Sequence, residues 1–203
     1  MDKTAHIEHR DYTGSKLGMW LFLFTEVLLF GGLFLVYAVY RAMHPADFHE
    51  AAKELSTVIG AINTVILLTS SLTMAISISA IQRGNRKLSV LMQSATILLG
   101  LIFLVNKYFE WSAKFHHGLY PDSPDLLERG HGQILFYGLY YVMTGLHGLH
   151  VIAGLVLLGF MLFFTIRERV NSKEFGWLEN SGLYWHLVDL IWIYLFPLFY
   201  LIT

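Results

Sequence analysis

Long runs of apolar residues alternate with short polar segments along almost the whole chain. A transmembrane helix needs about 20 mostly apolar residues. Five runs reach that length, and we expect each to cross the membrane as a helix, because lipid offers no hydrogen-bond partner to an unpaired backbone. The five predicted spans are 17–40, 56–81, 88–111, 134–165 and 182–202. The pattern predicts an all-α integral membrane helix bundle that forms a single domain over residues 1–203.

Composition narrows the function classes. Hydrophobic residues make up 55% of the chain and charged residues 14%, whereas an ordinary soluble domain has about 25% charged residues. The formal net charge of −1 gives no basis for nucleic-acid binding, so we expect no nucleic-acid partner. The chain has no cysteine, which excludes thiolate metal sites, iron–sulfur clusters and cysteine nucleophiles.

Lysine and arginine are unevenly distributed between the two sides of the predicted bundle. The N-terminus and the loops after the second and fourth spans hold nine of these residues, and the opposite loops hold four. Cytoplasmic loops carry the excess of positive charge. We therefore expect a cytoplasmic N-terminus and a periplasmic C-terminus.

Aromatic residues near the span ends are typical of an interfacial belt. The belt predicted in this way consists of Trp20, Tyr37, Tyr40, Tyr108, Trp111, Tyr137, Tyr140, Tyr141 and Tyr200.

Ionisable residues inside the spans are the candidate functional groups. Each charged side chain costs about 2.5–3.5 kcal/mol at the centre of a membrane helix, so such residues usually face protein or water. They are Glu26, Lys107, Glu110, His147, His150, His186 and Asp189. The helical rise places Glu26, His186 and Asp189 at similar depths in the cytoplasmic half, with His150 near the midplane. We expect these four to meet if their helices are neighbours.

Three pairs of these residues share a helix face, because their members are three positions apart. For Lys107 and Glu110 we expect a local ion pair whose lysine stem reaches outward to the membrane surface. His147 and His150 suit either metal ligation or neutral interhelical packing, and the lack of a third ligand in the same helix favours packing. Gly154 lies on the same stripe and would let another helix approach closely.

The remaining candidates also allow two interpretations. His186 and Asp189 could take part in chemistry, but an interhelical polar clamp is favoured. Glu26 could be a proton carrier or a protonated carboxylic acid hydrogen-bonded between helices, and the structural interpretation is slightly favoured. The second span is rich in serine and threonine and has no charged residue, which favours close helix packing over a conduction path.

Several motifs resemble subunit III of the haem–copper oxidases. The similarity runs from about residue 17 to the C-terminus, and the last two motifs are specific in combination. The motifs are MWLFLFTEVLLFGGLF from Met19, INTVILLTSSLTMA from Ile62, RGNRK from Arg83, TGLHGLHVIAG from Thr144 and YWHLVDLIW from Tyr184. The chain is similar to the short five-helix bacterial form of this family.

This resemblance implies a non-catalytic core subunit of a terminal respiratory oxidase that couples oxygen reduction to proton translocation. Haem and copper are expected in the partner catalytic subunit I, and no cofactor is expected in this chain. Other implied partners are subunit II, small subunits and phospholipids, in a bacterial cytoplasmic membrane. Glu26 falls on the family's buried carbodiimide-reactive glutamate, and His147, His150, His186 and Asp189 fall on its buried polar positions.

Other functions remain open from the sequence. A related subunit of a nitric oxide reductase would share this fold. A membrane metalloenzyme could use His147, His150 and His186, although the other histidines are scattered. A proton-coupled transporter could use Glu26, but the odd number of spans argues against paired repeats. The lone chain is not expected to have a catalytic site, whereas the implied complex is an oxidoreductase.

Overall fold

The computed structural model describes residues 12–116, 118–121 and 123–202. These residues form helices joined by turns and loops, with no strand among them. Five of the helices are long and apolar enough to cross a membrane, which confirms the predicted class. The helices are α1 (Tyr12–Met43), α2 (Pro45–Lys53), α3 (Thr57–Gln82), α4 (Arg86–His116), α5 (Pro124–Leu127), α6 (His131–Ile166) and α7 (Gly176–Tyr200).

The long helices extend beyond several of the predicted spans. α4 continues to His116 and α7 begins at Gly176, because hydropathy locates the apolar segment and polar residues can continue a helix past it. The short helix α2 was not predicted, since it has a polar composition. Pro45 occupies the first turn of α2, and the buried side chain of Phe48 packs α2 against the bundle.

The helix junctions lie at two ends of the bundle. We call one of them the α2 end; it carries α2 and α5. The opposite end, which we call the turn end, carries the tight turn between α3 and α4, where Gly84 adopts a φ of +77°. At the turn end Arg86 donates from Nε to the carbonyl of Thr165 at 2.9 Å and also bonds the carbonyl of Ile166. These bonds satisfy carbonyls that the last turn of α6 leaves without helical partners.

α7 packs against α3, α6 and α1 and supplies much of the core. Its Trp185 is fully buried and fits against two glycines on different helices. A Cβ at Gly100 or Gly154 would lie 2.8 Å from the Trp185 ring, which is closer than side chains approach. The close helix approach predicted at Gly154 is therefore present, and it accommodates an indole ring.

The serine and threonine residues of α3 bind neighbouring helices, as the packing interpretation predicted. Trp185 donates its indole N–H to Ser70 at 3.1 Å, and Trp192 donates to Thr64 at 3.0 Å. The hydroxyl of Ser77 lies 3.0 Å from the hydroxyl of Ser89 on α4. These contacts join α3 to α4 and α7 through polar groups that lipid could not satisfy.

The predicted aromatic belt is partly wrong. Trp20 and Tyr108 are exposed, but Tyr37, Tyr137 and Tyr140 are at most 1% exposed and belong to the core. Their hydroxyl groups bond protein atoms rather than the membrane interface. Tyr37, for example, donates to the backbone carbonyl of Leu198. A tyrosine near a span end thus anchors either to the interface or to another helix, and the pattern cannot distinguish these.

Candidate functional site

Glu26 of α1 and His150 of α6 form a buried hydrogen-bonded pair. Oε2 of Glu26 lies 2.8 Å from Nε2 of His150, and both side chains are largely buried. Nδ1 of His150 lies 2.8 Å from the carbonyl of Leu146, which can only accept, so Nδ1 carries a hydrogen. Nε2 then either accepts a proton from the carboxylic acid or donates one to the carboxylate. The two residues therefore share a single proton between α1 and α6.

His186 and Asp189 do not join this pair, so the expectation of one polar group of four residues is wrong. Nδ1 of His186 lies 2.6 Å from the Ser71 hydroxyl on α3. Asp189 is 3% exposed, and its carboxyl group lies beside the same Ser71 hydroxyl. The prediction used only the depth of each residue along its helix, which does not define the direction of its side chain. The face of α7 that carries His186 is directed toward α3, whereas Glu26 contacts α6.

His147 lies inside the core, apart from the proton-sharing pair. Its ring contacts Phe103 edge-on at 5.6 Å and lies 5.4 Å from the Trp192 ring. Neither ring nitrogen has a hydrogen-bond partner among the described residues. His147 and His150 thus have separate surroundings, and in the described part of the chain no three His, Cys, Asp or Glu side chains are placed to hold a metal.

Lys107 and Glu110 form the expected ion pair, with Nζ 3.0 Å from Oε2. The expected outward lysine stem is wrong, because Lys107 is only 8% exposed. Its ammonium also lies 3.1 Å from the Tyr140 hydroxyl and 3.0 Å from the Tyr200 hydroxyl. Tyr140 in turn donates to Glu110 at 2.9 Å. Partners on α6 and α7 replace the water that the lysine would otherwise seek, and the pair joins three helices.

The sequence did not predict a second polar group, which surrounds Glu54 at the α2 end. Glu54 accepts from the Tyr137 hydroxyl at 2.6 Å and from Arg129 at 2.7 Å. The hydrogen bond from Arg129 to Glu54 raises the pKa of Arg129. Lys114 contacts the backbone carbonyl of Glu54 at 3.4 Å. Glu54 and Arg129 lie between the predicted spans, so they were not among the ionisable residues expected inside the membrane. The spacing of Tyr137, Tyr140 and Tyr141 nevertheless indicates a polar face on α6.

These groups are chemically suited to holding helices together and to exchanging protons. The hydrogen bond between Glu26 and His150 can hold its proton on either partner, and the Lys107 group joins α4, α6 and α7.

Comparison with known proteins identifies the family. The family described as cytochrome c oxidase subunit III matches residues 3–203. Two relatives named cytochrome c oxidase subunit 3 each align with 98% of this chain. The one from Synechocystis sp. is 36% identical over 80% of its own length, and the one from Thermostichus vulcanus is 34% identical over 91%.

A third relative differs in its organisation. A protein named heme-copper oxidase subunit I+III, from Aeropyrum pernix, is 28% identical over 98% of this chain, which corresponds to 24% of the relative. The match over nearly the whole chain, together with five long apolar helices, agrees with the resemblance carried by the Glu26, His150 and His186 motifs. This chain belongs to the cytochrome c oxidase subunit III family.

Proposed function

We propose that this chain stabilises the catalytic subunit of its oxidase, holds phospholipid and supports proton uptake at the cytoplasmic face. As a member of the subunit III family, it is a non-catalytic subunit of a haem–copper oxidase. The match over residues 3–203 carries the proposal. We assign haem and copper to the partner subunit I and no cofactor to this chain. The assignment is supported by the separate surroundings of the two histidines, since His147 packs against Phe103 and Trp192 whereas His150 is hydrogen-bonded to Glu26.

The proposed partner is subunit I, in direct contact with this chain. The relative whose name combines subunits I and III supports it, because domains fused in one polypeptide are held side by side. Subunit II and small subunits complete the proposed complex. The test is purification of the tagged chain from its native membrane in mild detergent. We expect a haem-containing subunit I to co-purify in equal amount. Recovery of the chain without any haem protein would contradict the proposal.

We propose a cytoplasmic N-terminus and a periplasmic C-terminus in the bacterial cytoplasmic membrane. The nine-to-four distribution of Lys and Arg supports this orientation, although Lys3 and Arg10 lie outside the described residues. A reporter that is active only in the periplasm, fused after Thr203, should be active. A fusion in the turn at Gly84 should be inactive with the same reporter. The reverse result at both positions would contradict the orientation.

The Glu26–His150 pair is proposed to join α1 to the bundle rather than to carry every proton that the oxidase consumes. Glu26→Gln should assemble almost normally, because the amide can still donate to Nε2 of His150. Glu26→Leu leaves that nitrogen without a partner and should lower the free energy of unfolding by about 1–2 kcal/mol. Unfolding in mixed micelles with increasing SDS measures the free energy of unfolding of both variants. Loss of initial oxidase turnover in Glu26→Gln would instead identify an obligatory proton carrier.

A further inference from the structure

One stripe along α7 is left uncovered by the other described helices. It consists of Leu183, His186, Leu190, Ile193 and Pro197, which we call the α7 seam; the first two are partly exposed and the other three are exposed. Leu190 and Ile193 are 48% and 44% exposed. The five residues follow one another at alternating intervals of three and four positions. This spacing is typical of a helix face that packs lengthwise against another helix.

The α7 seam forms the floor of a groove whose walls are α1 and α3. On one side Phe196 of α7 packs so closely against α3 that a Cβ at Gly60 would lie 2.7 Å from its ring. On the other side the ring centres of Tyr194 and of Phe34 on α1 lie 5.9 Å apart. Both α1 and α3 contact α7, but these two described helices do not contact each other. The groove between them is therefore open toward the membrane.

His186 is the polar side chain of the α7 seam, and it lies deep in the membrane. It is the eleventh of the 25 residues of α7, so it lies about 15 Å along the helix axis from Gly176. Its Nδ1 lies 2.6 Å from the Ser71 hydroxyl, and its Nε2 has no hydrogen-bond partner among the described residues. Lipid offers no hydrogen-bond partner at this depth. A partner for Nε2 therefore has to come from outside these helices.

The hydrogen bonds around Ser71 determine what His186 offers to a partner. The buried Asp189 carboxyl lies beside the same Ser71 hydroxyl, and no cation of the described residues pairs with it. Burial therefore favours a group without net charge. The arrangement that satisfies all three residues in that state has Asp189 donating to Ser71 and Ser71 donating to Nδ1, which leaves the imidazole hydrogen on Nε2. His186 is then a donor, and its partner is an acceptor.

Pro197 leaves a second unsatisfied group on the α7 seam. A proline has no backbone N–H, so the carbonyl of Ile193, four residues earlier, lacks its regular helical donor. Ile193 follows His186 by two helical turns, which is about 10 Å along the same stripe. The seam thus combines apolar side chains with one donor and one acceptor inside the membrane. An acyl chain could cover the apolar side chains, but it could not bond either polar group.

We propose that this groove receives a transmembrane helix of subunit I, which places an oxygen acceptor opposite Nε2 of His186. The inference deepens the proposed partner assignment and rests on it. The alternating spacing of the α7 seam favours a helix as the occupant, and the two hydrogen-bonding groups favour a helix with polar side chains at this depth. A second copy of this chain, packed symmetrically, would instead bring two His186 donors together.

Photo-crosslinking in the purified oxidase tests where subunit I lies. The cross-linking amino acid p-benzoylphenylalanine replaces Leu190, which lies one turn from His186 on the α7 seam. We expect a covalent product with subunit I, and mass spectrometry should place the bond in a transmembrane helix within one turn of a side-chain oxygen. The matched control carries the same cross-linker in place of Leu149, which is 64% exposed between α4 and α6. A product of position 190 with a second copy, with another subunit or with lipid alone would overturn the proposal, as would an equal yield of the subunit I product from position 149.

Substitution of His186 tests the hydrogen bond itself. His186→Leu removes the Nε2 donor, whereas His186→Gln keeps an amide donor at a similar reach. The measurement is the amount of subunit I that stays on the tagged chain during washing with detergent. We expect this amount to be about fivefold lower in His186→Leu, because one interhelical hydrogen bond is lost. His186→Gln should retain nearly as much subunit I as the unaltered chain.

Ser71→Ala is the control for contacts inside the chain, because it removes the hydrogen bond to Nδ1 and leaves Nε2 in place. Subunit I should stay bound nearly as well as to the unaltered chain. Equal losses in Ser71→Ala and His186→Leu would assign the effect to packing inside the chain and overturn the proposal. Unchanged retention in His186→Leu would overturn it as well. If His186→Leu does not fold, cross-linking from position 190 still decides.

Failure of this inference is distinguishable from failure of the subunit assignment. Recovery of the chain without any haem protein contradicts the assignment itself. If subunit I co-purifies with the chain but is not cross-linked from position 190, the assignment stands and the groove is not its docking site.

Discussion

An oxidase depleted of this chain should keep its haem spectrum and start turnover at a sizeable rate, and then lose activity during sustained turnover. A non-catalytic subunit acts on the chemistry only through the catalytic subunit's stability, its lipids and its proton supply. Such effects accumulate with time or emerge as protons become scarce. We therefore expect activity to decline within minutes and to fall at a lower pH than in the intact complex.

The measurement is oxygen consumption over minutes at several pH values, after removal of the chain by detergent or gene deletion. Restoring the purified chain should recover the original time course, which controls for detergent damage to the catalytic subunit. Missing haem signals in the depleted enzyme would indicate an assembly factor instead. An unchanged time course and pH profile would indicate a peripheral scaffold, and either result contradicts the proposed role.

Breaking the Lys107–Glu110 pair should cause the largest loss of stability of any single substitution considered. Lys107 is surrounded by protein, with Glu110, Tyr140 and Tyr200 as its partners. Glu110→Leu leaves the ammonium buried without its carboxylate. Removing one partner of a buried ion pair costs about 3–5 kcal/mol. Unfolding in mixed micelles of detergent and SDS gives the change in free energy.

The double variant Lys107→Met with Glu110→Leu separates the cost of an unpaired charge from the value of the pair. Both charges are then absent, and the hydroxyls of Tyr140 and Tyr200, which lie 3.3 Å apart, can still bond each other. We expect the double variant to be more stable than Glu110→Leu. Lys107→Met alone gives the second single-variant loss. If the losses of stability in Lys107→Met and Glu110→Leu add up to the loss in the double variant, Glu110 does not hold the ammonium, and the network would need another explanation.

Sequence reasoning predicted the spans because transfer into lipid depends on local composition, which a single run of residues contains. It predicted Lys107 and Glu110 as a pair for the same reason, since both lie on one helix. It did not predict that Tyr140 and Tyr200 complete their surroundings, because these partners come from α6 and α7. An isolated helix with that lysine would direct it to the surface, and only the assembled bundle offers a buried alternative.

The separation of His186 from the Glu26–His150 pair could not be predicted for a similar reason. Glu26 and His150 meet because α1 lies against α6, while His186 at a similar depth contacts Ser71 on α3. Depth follows from the helical rise, but the rotation of each helix about its axis depends on how all the helices pack. The positions of Gly100 and Gly154 hold part of that information, since they receive Trp185. The sequence shows the two glycines without showing which ring fills the space.

The central position of α7 has a consequence for biosynthesis. Translation produces α7 after the other described helices, yet Trp185, Trp192 and Tyr200 supply partners to Ser70, Thr64 and Lys107. Before α7 inserts, Thr64 and Ser70 have only carbonyls of their own helix as partners, and Lys107 lacks the Tyr200 hydroxyl. A ribosome that stops before Gly176 therefore leaves a membrane intermediate with exposed polar faces rather than a smaller stable bundle. Quality-control proteases of the membrane would have a structural basis for distinguishing such a chain from the finished subunit.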